Sequence, residues 1–88
     1  MVEKVYVLGV SQLNESNNAP NTWVIGVFHD AETAAMTSCA FLEKLAENME
    51  EDCYMTNRFH LYKRNENDQD VLYAWCGYEE FEVDKRYF

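Results

Sequence analysis

The period of the hydrophobic pattern changes several times along this chain, and each change marks an element. Residues 2–10, VEKVYVLGV, are rich in β-branched and aromatic side chains and too short for a typical helix, and the polar run SQLNESNNAPN follows them. The pattern predicts a strand and then a long, mobile loop. TWVIGVF predicts a second strand, with Trp23, Ile25 and Val27 on one face and Val24, Gly26 and Phe28 on the other. Apolar character on both faces points to a central strand. Gly26 has no side chain to pack, which leaves room for a neighbouring aromatic ring to lie over it.

At HDAETAAMTSCAFLEKLAENM the period becomes helical. Asp30 is placed to cap the first turn, and Ala31 to Met49 predict a helix of good formers. Its apolar stripe comprises Ala31, Ala34, Ala35, Ser38, Phe41, Leu42, Leu45 and Met49. The stripe is small near the start and large near the end, so the first turns are expected to pack closely on a sheet. RFHLYKR then predicts a strand, NENDQD an exposed turn, and VLYAWCG the returning strand of a hairpin. The final segment, YEEFEVDKRYF, fits either a further strand or an acidic, aromatic tail. The fold class expected is α+β: an antiparallel four- or five-stranded sheet with one helix on one face, in the order β-β-α-β-β, as a single domain over 1–88.

Length and composition narrow this picture. Eighty-eight residues support one modest core, and 48% hydrophobic residues suffice to fill it. Sixteen Asp and Glu face seven Lys and Arg, a formal charge of −9. Direct binding to a phosphate backbone is therefore disfavoured, and a basic partner is the natural expectation. Three cysteines, Cys39, Cys53 and Cys76, show no Cys-x-x-Cys spacing, which fits reduced thiols of a cytoplasmic protein. No segment approaches the length of a membrane span, so a soluble protein without a membrane partner is expected.

The acids cluster in three segments. On a helical wheel centred on Glu43, Glu47 lies at about 40°, Glu32 and Glu50 at about −20° and Glu51 at about 80°, opposite the apolar stripe. Asp52 follows them, so that acids crowd the end of the expected helix, where the backbone dipole disfavours negative charge. Met36, at about 20°, sits among these acids, either as an incidental exposed side chain or as an apolar anchor for a docking partner. The second cluster is Glu66, Asp68 and Asp70 in the hairpin turn. The third is Glu79, Glu80, Glu82 and Asp84 near the end. One explanation is solvation of an amphipathic helix; the other is a carboxylate surface shaped for a basic partner.

Reactive chemistry is poorly supported. His29, Asp30 and Glu32 could suggest an acid-base pair or a metal site, but cap and first-turn roles account for two of them. His60 is expected in a strand as half-exposed packing. Cys39 and Cys76 have apolar neighbours that favour inert buried thiols, and acids beside Cys53 disfavour its thiolate. No catalytic residue, metal site or cofactor is expected. Tyr6, Trp23, Tyr54, Tyr62, Tyr73, Trp75 and Tyr78 leave open a ligand-binding or nucleotide-binding aromatic face. Edge-strand assembly into a homodimer is a further alternative, since neither the first nor the last strand carries a clear device against pairing beyond its charge.

Ile25, Gly26, Val27, Phe28, Asp30 and Ala34 form a strand-to-helix junction that resembles small uncharacterised strand-strand-helix-strand domains of bacteriophages and bacterial mobile elements. The likeness covers the first half of the chain. It implies a fold and a phage setting, with a host cytoplasm as the location, and it carries over no catalytic residue. Together with the acidic clusters it leads to one expectation: a non-catalytic inhibitor that occupies the basic nucleic-acid-binding surface of a host nuclease or defence protein, of restriction or CRISPR type, by mimicking DNA.

Overall fold

In the structure, a computed structural model, residues 2–14, 19–49 and 52–84 are described. Strands β1 (Val2–Asn14) and β2 (Ala19–Phe28) precede helix α1 (Ala31–Glu47), and strands β3 (Cys53–Asn57), β4 (His60–Arg64) and β5 (Asp70–Asp84) follow it. The five strands form one sheet in the order β2-β1-β5-β4-β3, antiparallel throughout. The α+β architecture expected from the pattern is thus observed, and its fifth strand comes from an unexpected place. The expected return strand and tail are one continuous strand, β5, while the extra strand is β3, which the acidic run before Cys53 conceals.

Three further expectations change. Residues 11–14 and 19–21 do not form a loop but extend β1 and β2, paired from Ser11 and Thr22 out to Asn14 and Ala19. Strand β2 is an edge strand, whereas β1 and β5, the first and last strands, pair with each other at the centre. The alternation in β2 is also interrupted: Leu8 faces Gly26 and Gly9 faces Val24, so Ile25 is an extra, bulged residue. The bulge shifts the parity of the strand. Trp23, Ile25 and Phe28 lie toward the helix, where Ile25 and Phe28 pack on the core and Trp23 meets Phe41 edge-on at 6.3 Å. Val24 and Val27 lie on the other face.

Helix α1 crosses the sheet between its two edges. Its start follows the local chemistry: the Asp30 carboxylate accepts from the Thr33 amide at 2.7 Å and from the Thr33 hydroxyl at 2.9 Å. Ala34, Ala35, Ser38 and Leu42 are its buried residues, the small side chains allowing the first turns to approach the strands. Leu8, Val10, Leu42, Leu61, Ala74 and Cys76 form the buried core, all between helix and sheet. An aromatic ring does lie over Gly26, for a Cβ there would sit 3.0 Å from Cζ of Phe28.

The helix leaves much of the sheet uncovered. Seventeen residues of helix span about 25 Å, whereas the fifteen of β5 span about 50 Å. The radius of gyration is 15.5 Å, against about 12 Å for a compact chain of this length.

Candidate functional site

The outer face of α1 brings together four of the residues singled out in the sequence. Glu32, Glu43 and Glu47 are exposed, and Met36, 60% exposed, lies between them on the same side. Arg58 of the β3–β4 turn reaches Glu32 at 2.9 Å, and the Cys39 thiol donates to Glu43 at 3.4 Å. That carboxylate raises the thiol pKa of Cys39, so the thiol is protonated at neutral pH; Cys39 is half-exposed, not buried as its apolar neighbours suggest. The helix ends at Glu47, two residues before its expected end, and its last turn carries Lys44. Glu50 and Glu51 lie outside the described residues.

Asp52 belongs to a different group from the one expected. It follows the helix, and its carbonyl accepts from the Arg64 amide at 3.0 Å, beside the β4–β5 turn. There Asp52, Lys63, Arg64, Asn65, Glu66 and Asp68 line an open groove of about 610 Å³. Arg64 contacts Asp70 at 3.4 Å and Asp68 at 3.8 Å, and these carboxylates hold its guanidinium above the usual pKa. The turn is braced by Asn65, whose side-chain oxygen accepts from the amides of Asn67 and Gln69, both at 2.9 Å. Its acids are therefore partly compensated from within.

The third cluster is divided by the pleat of β5. Glu80 and Glu82 stand opposite Tyr6 and Lys4 on the helix side, where Glu80 accepts from the Tyr6 hydroxyl at 3.0 Å and meets Lys4 at 3.7 Å. Glu79 stands opposite Val7 on the helix-free face. The side chain of Asp84 is outside the described set. From Asp70 to Glu82 the strand rises about 40 Å, so the acidic segments do not merge into one surface. The helix face is the cluster with an exposed apolar side chain, Met36, among its acids.

The histidines have local partners. His29 approaches Glu3 at 3.8 Å and His60 bonds Asn57 at 2.9 Å through Nδ1. Burial raises the Cys76 thiol pKa. Among the described residues no three His, Cys, Asp or Glu side chains converge as a metal-binding group. Among the same described residues no helix is long and apolar enough to cross a membrane.

The weighed aromatics separate by face. Tyr6, Trp23, Tyr73 and Tyr78 lie on the helix side, while Tyr54, Tyr62 and Trp75 lie on the bare side, where Tyr54 and Tyr62 stack at 5.8 Å. Sequence reasoning missed what accompanies them. Val24 (61% exposed), Val27 (60%) and Phe81 (47%) share the bare face with Val5 and Val7. Gly9 and Gly77, paired across β1 and β5, open a trough through it, seen as adjoining hollows of about 190 and 330 Å³. The two paired glycines are the signal in the sequence, but only the β1–β5 register brings them together.

Fold and surface define an α+β domain of two layers, one sheet face covered by an acidic helix and the other bare and apolar. No family model, curated protein or solved structure matches the chain, which leaves its geometry as the guide to function.

Proposed function

We propose that the protein is a non-catalytic acidic binding protein whose α1 outer face engages the basic, nucleic-acid-gripping surface of another protein. The observation that carries this reading is the set Glu32, Glu43 and Glu47 around the exposed Met36. Glu43 and Glu47, about 6 Å apart in rise, with Glu32 about 16 Å before them, offer a basic groove spaced negative charge, and the thioether adds an apolar contact. The resemblance to phage domains extends the proposal to a host setting, with a nuclease or defence protein as the partner. A charge of −9 would steer encounter with such a partner and repel nucleic acid itself.

The test is capture from host lysate with the tagged wild type beside Glu43→Lys/Glu47→Lys. The expected result is one nucleic-acid-binding protein, retained by the wild type only, released by added salt and displaced by duplex DNA. Retention of the same protein by the charge-reversed variant would overturn the proposal.

A further inference from the structure

From the uncovered sheet face, we infer that the protein is a homodimer in which two copies pack face to face through Val5, Val7, Val24, Val27, Trp75 and Phe81. All the buried core lies on the helix side, so none of these apolar residues contributes to it. The chain exposes 6174 Å², whereas a compact monomer of 10.4 kDa exposes about 5,400 Å². A standard interface takes roughly 800 Å² from each partner. A molecule 55 Å by 25 Å in its longer extents has a face large enough to supply it.

Three features select a second copy as the occupant. The first is shape. The Gly9–Gly77 trough runs beside the ridge of Val5, Val7 and Phe81, so one face carries both a hollow and a projection. A twofold axis would set the ridge of each copy into the trough of the other, as an isologous interface requires.

The second feature is the arrangement of charge. Glu3 with His29 lies at one end of the face and Arg64 with Asp70 at the other. Glu79, exposed, stands opposite Val7 between Gly77 and Phe81 and lines both hollows, but on the outer side of β5, where pairing with β4 has ended. An apolar centre with a charged rim is the anatomy of an interface. Face-to-face packing also puts the two acidic helices on opposite outer sides. With layers about 10 Å apart they stand about 30 Å from one another, well beyond the screening length.

The third is the state of the edges. Pro20 in β2, the five-residue length of β3 at the other edge, and the acids Glu79, Glu80 and Glu82 along the free half of β5 oppose assembly by strand addition, an alternative left open by the sequence. The open face is left as the surface through which two like-charged chains can meet.

The deciding measurement is the solution mass of the full chain by light scattering from micromolar to millimolar concentration, for wild type, Gly77→Val, Val27→Lys and Met36→Lys. A Cβ at Gly77 meets nothing within 4 Å, so valine there is compatible with the folded chain while filling the trough. Val27 is on an edge strand and exposed, so its lysine variant decides the matter should Gly77→Val fail to fold. Wild type and Met36→Lys are expected at twice 10.4 kDa, and Gly77→Val and Val27→Lys at 10.4 kDa with an unchanged far-UV spectrum. A monomeric wild type throughout the range overturns the inference and leaves the face to a foreign apolar partner. A dimer that survives both sheet-face variants overturns it too, by placing the contact elsewhere. Either result leaves the test of the acidic helix face unaffected.

Discussion

Leu42 is fully buried at the centre of the contact between α1 and the sheet, and with one core layer there is no second shell to close around a void. Leu42→Ala should cost about 2–5 kcal/mol, read as a lowered urea midpoint with an unchanged slope. Ser38, also buried, donates to the Arg58 carbonyl at 2.7 Å and so ties the β3–β4 turn to the helix. Ser38→Ala orphans that carbonyl and should cost about 1–3 kcal/mol. At Asp30 the effect depends on pH. The Thr33 amide and hydroxyl stabilise the carboxylate and hold its pKa below the ordinary value. A group whose pKa falls on folding contributes fully above its unfolded value and ceases to contribute as pH drops through the folded one. Asp30→Ala should therefore lower the melting temperature by a few degrees at neutral pH, with the gap to wild type narrowing in acid below the usual carboxylate range.

Helix α1 was legible because its period and cap agree: Asp30 starts it, and the observed buried residues all lie on the expected stripe. Its end was not. The apolar period continues to Met49, but the chain must leave the helix to bring Asp52 beside Arg64 and begin β3. That early exit relieves the conflict between a run of acids and the helix dipole, leaving Glu47 as the acid of the last turn, beside Lys44. Glu43→Lys/Glu47→Lys should accordingly stabilise the fold or leave it unchanged, by up to about 1 kcal/mol in thermal unfolding, while removing partner binding. The strands were legible as apolar runs but not as neighbours. The bulge at Ile25 defeats a two-residue count in β2, and a central place was inferred from valines that instead face outward. Of the candidate site, the helix acids and Met36 were readable from a wheel. The bare sheet face was not, because it exists only when β1 and β5 pair.

At the scale of the whole molecule, one helix serves a sheet twice its length, and the consequence is a single core on one side with an apolar face on the other. Acidic helix and apolar sheet point in opposite directions, so a dimer through the sheet would display two binding faces outward. Such a dimer would bind a two-site partner with an avidity beyond that of either face alone. Strand β5 also governs when this architecture can arise. Its first residues pair with β4 and the rest with β1, and its contacts with β1 join positions 62 to 82 residues apart. Few of the central hydrogen bonds are local, so ring closure over most of the chain precedes them, and folding is expected to be slow for a domain this small. During synthesis the β1–β2 hairpin, the helix and β3–β4 emerge before residues 74–84, and β1 then lacks its second neighbour, the strand that joins the two hairpins. A nascent chain halted before those residues exposes the flank of β1, which makes the last strand the step that commits the molecule to its native state.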